Sequence, residues 1–236
     1  KTVTANGDTQ VETSPKFGTG SAKFDGSDYL SCDDSADWYF GTGDFTIDFW
    51  VKFNTVQVCG FVGQYNDATH FWWVYSTGTG TLNMFFHNTS EKGSYNTVDD
   101  MNFSTGVWYH LAFVRTGTTA KIFVNGASKT LSENVAFGTN DVGDISASLR
   151  VGCSTNQETV FYVNGNMDEV RIAKGEALYT EDFTPPAYPY GGNWETLATL
   201  TNGQSNSFTA TTINPLYLYI QGSSAMDFRG GSAYFK

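Results

Sequence analysis

Apolar and polar positions alternate along most of this chain, and most cleanly in GDFTIDFWVKF, residues 43–53. Phe45, Ile47, Phe49, Val51 and Phe53 fill one set of alternate positions, and Thr46, Asp48, Trp50 and Lys52 fill the other. A period of two is that of a strand with one face on a core. Shorter runs of the same kind recur at 22–24, 29–32, 58–64, 70–75, 82–88, 108–115, 120–124, 148–152 and 167–173, each bounded by Gly, Asn, Asp or Ser. Asn125-Gly126 follows KIFV and predicts a two-residue hairpin turn. The Gly/Thr-rich stretch at 76–81 predicts the loop of a hairpin between two aromatic strands. No segment sustains a helical period, and 176–179 has room for one helical turn at most. The pattern predicts an all-β chain of antiparallel strands.

Composition agrees and adds boundaries. Aromatics make up 16% of the 236 residues and Gly contributes 25, a mixture suited to strands and tight turns. A chain of this length buries a large core without disulfides, and the odd count of cysteines (Cys32, Cys59, Cys153), none in a CxxC, reads as three buried thiols. The proline-rich FTPPAYPYGG, 183–192, reads as a stiff exit segment. It divides the chain into an N-terminal arm (1–15), a main domain (16–189) and a C-terminal β-rich arm or small subdomain (190–236). FGTGSAKF (17–24) is echoed by FRGGSAYF (228–235), which is chance, the start of a second copy of the domain, or a sign that the two ends play equivalent strand roles in a polymer.

Charge narrows the partners. A net charge of −11, with 13 basic against 24 acidic residues, disfavours nucleic acid and anionic membrane surfaces. No apolar run approaches the roughly 20 residues that a membrane-spanning helix needs. Acidity of this kind suits cations and neutral polar ligands.

FGTGSAKFDGSDYL, GDFTIDFWVKF, GVWYHLAFVR, KIFVNG and NMDEVRIAKG with YTEDFTPP occur in that order between residues 16 and 186. Together they resemble the concanavalin A-like lectin/glucanase superfamily in its laminin-G-like (pentraxin-like) branch. The resemblance implies a two-sheet antiparallel jelly-roll sandwich, here with a short C-terminal β extension. It puts the Phe45 set, Leu111 and Phe113 between the sheets, with Trp108, His110 and Ala112 on the opposite face. It also implies Ca²⁺, held by Asp168 of the DEVRI-like strand and Asp25 of FDG, with Asp28 as a further ligand. The residues alone leave another reading, in which Asp25 and Asp28 form turns and Asp168 pairs with Arg171 or caps a backbone amide.

Retaining hydrolysis of glycosides needs two carboxylates about 5–5.5 Å apart, and jelly-roll glucanases carry E-x-D-x-x-E. No Glu here begins that pattern, Asp48 has only Thr46 and Trp50 as same-face neighbours, and neither G-x-S-x-G nor H-E-x-x-H occurs. The expectation is therefore a non-enzymatic domain. Sugars are held by aromatic platforms with a few directed polar groups, and the candidates are Asp48, Trp50, Trp72, Trp73, Tyr75, Phe85 and His87. Both tryptophans of HFWWVY stand because alternation alone does not say which shares a face with Phe85 and His87. Asp48 and Trp50 either touch a ligand or lie under a covering segment. The expected role is recognition or adhesion at an extracellular, cell or virion surface, with a glycan or cell-surface polysaccharide as partner. The alternative is a structural assembly protein, a virion decoration or fibre component or an extracellular filament subunit, whose terminal arms contact its own copies or other virion or filament proteins.

Overall fold

The computed structural model describes residues 2–78, 80–156, 159–190, 195–199, 218–222 and 231–235. Two large antiparallel sheets carry almost all of the regular structure, and one 3₁₀ turn, Ala36–Trp38, is the helical element among the described residues. The first sheet has eight strands in the order Val3–Asn6, Tyr29–Cys32, Leu149–Val151, Cys59–Asp67, His70–Ser76, Leu82–Asn88, Ser90–Thr97 and Leu131–Val135. The second runs from Ala127–Ser128 through Thr119–Val124, Trp108–Thr116 and Phe45–Thr55 to Asn164–Lys174. Ser21–Asp25 bonds to the first part of Asn164–Lys174 and carries Gln10–Glu12 on its far side. Leu218–Gly222 meets the same strand at Val170, followed outward by Gly231–Phe235 and Glu195–Thr199. This is the expected jelly-roll sandwich.

The Phe45 set fills the space between the sheets, as its alternation requires. Phe45, Ile47, Phe49, Val51 and Phe53 are all at most 1% exposed. Phe45 packs against Phe86 at 5.3 Å and Phe49 against Phe61 at 5.0 Å, both partners belonging to the opposite sheet. Each such buried side chain contributes about 1.5–3 kcal/mol relative to exposure. Leu111 and Phe113 join them. All three cysteines are buried and free, and burial pushes the thiols of Cys59 and Cys153 up to about 12.

The Asn125-Gly126 turn forms as expected, with both residues at positive φ (50° and 80°) and Val124 paired with Ala127. Gly126 is required twice over, because a Cβ there would lie 1.8 Å from the Phe183 carbonyl oxygen. That contact belongs to the exit segment. Instead of leaving the domain, residues 176–190 run extended across the second sheet, with no helical turn at 176–179. Thr46 Oγ1 donates to the Glu176 carbonyl and accepts from the Leu178 amide, and the Phe183 amide donates to the Gly126 carbonyl. The expected boundary near 190 falls beside residues 191–194, which lie outside the described residues. Of the three described strands beyond it, Leu218–Gly222 bonds to the domain's own sheet, and the other two extend that sheet outward from it.

Candidate functional site

The two sheets turn outer faces of opposite character outward. On the second sheet, that face is sealed. Asp48 is wholly buried at the centre of a polar knot. Arg171 grips both of its oxygens (Nε to Oδ1 2.8 Å, Nη2 to Oδ2 2.7 Å), and the hydroxyls of Tyr190 and Tyr179 donate to Oδ2 at 2.6 and 3.1 Å. Since Tyr190 donates to Asp48, its oxygen accepts from His110 Nε2 at 2.8 Å, which assigns the imidazole its Nε2–H. Burial alone would raise the Asp48 pKa, but the Arg171 charge and the hydrogen bonds of His110 and Arg171 hold the carboxyl well below the usual range. Phe183 and Tyr179 stack at 3.7 Å above Phe123 and Ala112. Trp50, only 5% exposed, lies under the N-terminal segment, with Lys16 Nζ 3.9 Å from its ring and Phe17 edge-on at 5.8 Å.

Of the two readings of Asp48 and Trp50, the second describes their place, since both lie under segments of the chain itself. The expectation for Trp72 is corrected. It points inward with Val74, stacks on Phe86 at 5.6 Å within the core, and donates its indole N–H to Gln64 Oε1 at 2.7 Å.

The outer face of the eight-stranded sheet gathers the other candidates. Phe71, Trp73 and Tyr75 lie on it beside Phe85 and His87 of the next strand, with Tyr65 on the other side. None of these rings belongs to the inter-sheet core. Phe71 is wedged between Trp73 at 4.2 Å and His87 at 5.3 Å, each tilted by only 15°, and Tyr65 is nearly parallel to Trp73 at 6.0 Å. Rings stacked along and across the strands in this way cover one another's faces, which leaves Phe71 and Trp73 only 7% and 8% exposed. Phe85 breaks the stack, lying 78° to Phe71 and 70° to Trp73. His87 Nδ1 contacts the Thr69 carbonyl at 2.8 Å, so Nδ1 carries the proton and Nε2 is the ring's other polar atom. Tyr75, Phe85, His87 and Tyr65 are each half-buried. Trp73, Tyr75, Phe85 and His87 are thus brought together as one patch, while Tyr65 and Phe71 extend it.

The acidic candidates divide. Asp25 and Asp28 converge, joined by Asp8, with one carboxylate oxygen from each lying within 4.8 Å of the others. They line a shallow cavity of about 190 Å³ with Gln10 and Lys23. Asp8 escapes a local reading of the FDG loop, because the pairings of Asn6 with Tyr29 and of Gln10 with Lys23 bring it there. Asp28 is buried, which raises its carboxyl to about 6, with the charges of Asp25 and Asp8 adding and the Asp25 amide opposing. Three convergent carboxylates are the hard-oxygen donor set that Ca²⁺ accepts. Asp168 is corrected out of this set. It sits apart, buried, with Oδ2 accepting the amides of Lys16 and Phe17 at 2.9 and 3.2 Å and Oδ1 that of Glu169 at 3.0 Å. It clasps the N-terminal segment over Trp50, and burial lifts its carboxyl to about 7 despite these donors.

Comparison with known proteins follows the fold. Domain 4 of AbnA, a GH43 extracellular arabinanase from Geobacillus stearothermophilus solved with arabinotriose, is similar at 18% identity and a TM-score of 0.57, covering 76% of this chain and 85% of that one. The enzymatically active domain of tailspike protein 2 from bacteriophage CBA120 is similar at 12% identity and a TM-score of 0.54, covering 78% of this chain and 32% of that one. Among the curated proteins, none matches. The Laminin_G_3 family, described as Concanavalin A-like lectin/glucanases superfamily, matches residues 24–182, more than half of the sequence. The chain therefore belongs to the Laminin_G_3 family of the concanavalin A-like lectin/glucanases superfamily.

Proposed function

We propose that this chain is a non-enzymatic carbohydrate-binding domain that uses the outer face of its eight-stranded sheet. One observation carries the reading: of the two outer sheet faces, one is sealed by the chain's own segments, and the other bears half-buried Tyr65, Tyr75, Phe85 and His87 around Trp73. Aromatic rings with adjacent amides and hydroxyls, here Asn83 and Ser94 on the same face, are what saccharides require. The arabinanase domain of similar fold was solved with a bound oligosaccharide, which supports the same ligand class here. Asp48 has no second carboxylate beside it on its strand face, and it is wholly buried and held by Arg171, Tyr179, Tyr190 and His110, which favours binding over hydrolysis. Asp8, Asp25 and Asp28 would hold Ca²⁺ as a structural ion tying the N-terminal segment to the Ser21–Asp25 strand. The domain would act at an extracellular, cell or virion surface, where glycans are displayed. A glycan array probed with folded protein, with and without chelator, tests the reading. Saccharide binding that is lost in Trp73→Ala supports it, and flat binding in both conditions overturns it.

A further inference from the structure

The eight-stranded sheet carries an ordered row at right angles to its strands. Directly paired residues share a face, and successive registers link Ser31 to Arg150, Arg150 to Gly63, Gly63 to Trp73, Trp73 to Phe85 and Phe85 to Ser94. All lie on the open outer face, since their neighbours along each strand (Leu30, Leu149, Val62, Trp72, Met84 and Tyr95) are in the core. At the usual strand separation the row is about 24 Å long, enough for several linked sugar residues. Its composition is graded, with hydroxyl and guanidinium at one end, a bare backbone step at Gly63, then indole, phenyl and hydroxyl.

Arg150 is the unusual member. Of the other two arginines among the described residues, Arg171 is spent on Asp48, and Arg115 is buried with its guanidinium on the carbonyls of Gly41, Gly117, Gly138 and Asn140. Arg150 is half-buried and has no ion-pair partner among the described residues. It is nevertheless held in place. Nη1 donates to Thr155 Oγ1 at 2.6 Å, and the guanidinium lies 5.2 Å from the Tyr29 ring. Thr155 belongs to the hairpin Cys153–Asn156/Thr159–Tyr162, which walls the row on this side. Across a crevice too narrow to admit a water molecule stand Tyr65 and Trp73, and Gly63 lets the strands pack closely, since a Cβ there would lie 2.4 Å from the Trp72 carbonyl oxygen and 2.8 Å from the Trp73 Cβ. In a chain of net charge −11, a guanidinium held beside an aromatic patch with no carboxylate partner among the described residues can take a planar carboxylate that matches its fork.

We infer that the saccharide this face takes is acidic, with a uronic or sialic acid residue whose carboxylate meets the exposed part of Arg150 at the rim of the crevice while an adjoining sugar packs at Trp73 and Phe85. This rests on the glycan-binding reading and names its ligand class. The test pairs each carboxylated oligosaccharide that binds, such as an oligogalacturonide, with its neutral methyl ester, titrated calorimetrically against wild type and Arg150→Gln. The expected result is that wild type prefers the acid by about tenfold or more, that esterification removes the preference, and that Arg150→Gln binds acid and ester alike, near the wild-type affinity for the ester. The ester comparison needs no variant and stands even where Arg150→Gln is unstable. Equal affinity of wild type for acid and ester overturns the inference and leaves saccharide binding intact. Absence of binding to any neutral or acidic saccharide overturns both.

Discussion

Asp48 carries most of what a single residue can teach in this protein. Alternation correctly set it opposite the core-facing Phe45 series, but a strand pattern describes two faces and not what lies on them. The answer comes from Arg171, Tyr179 and Tyr190, between 123 and 142 positions away. Removing one partner from a buried ion pair strands the other, so Asp48→Ala should cost about 3–5 kcal/mol in urea unfolding; a loss below about 1 kcal/mol would show that the knot contributes little. Titration gives a second reading. The depressed Asp48 carboxyl contributes stability that is present above the unfolded value near 3.9 and lost as pH falls below it. Asp168, raised to about 7, has the opposite sign. The fold holds its proton more firmly than the unfolded chain does, so its contribution is full below about pH 4 and declines as pH climbs toward 7. Asp168→Asn should flatten that decline in a series of urea midpoints from pH 4 to 8, and an unchanged slope would remove Asp168 as its source.

At the scale of elements, strands and turns were largely legible because they rest on local chemistry. The Phe45–Thr55 strand, the aromatic hairpin and the Asn125-Gly126 turn all follow from residues within a few positions of one another. The exit segment was not. Its prolines suggested departure from the domain, whereas its aromatic residues seal a sheet face, with Gly126 admitting the Phe183 carbonyl. Gly126→Ala therefore faces both a positive φ and a backbone collision, and should destabilise by more than 1 kcal/mol, roughly the upper limit for a compatible Gly-to-Ala exchange. Protease sensitivity should rise within 176–190, and a wild-type cleavage pattern would contradict the sealing role. The adjacent tryptophans give a sharper contrast. Trp72→Ala hollows the core and should cost about 3–5 kcal/mol, while Trp73→Ala, on the outer patch, should cost less and act on saccharide affinity; equal costs in thermal unfolding would contradict the assignment of faces.

For the molecule as a whole, the sandwich sets one closed and one open surface, and the N-terminal strands stitch its sheets: Val3–Asn6 enters one and Gln10–Glu12 the other. Between them lies Asp8, facing Asp25 and Asp28. Ca²⁺ at a hundredfold excess over its Kd should stabilise the fold by about 2.7 kcal/mol, read as a rise in unfolding midpoint that chelator reverses and Asp8→Asn abolishes; a midpoint indifferent to Ca²⁺ would exclude a structural ion there. The all-β class, the inward set of the Phe45–Thr55 strand and the Asn125-Gly126 turn were readable before any coordinates, because alternation and turn chemistry are properties of neighbouring residues. Which tryptophan faces outward, which carboxylates meet, and that Asp48 is buried while Arg150 lines an open row depend on sheet register and on segments crossing from far along the chain. Those are long-range pairings, and a pattern of period two is the same whichever partner eventually covers it.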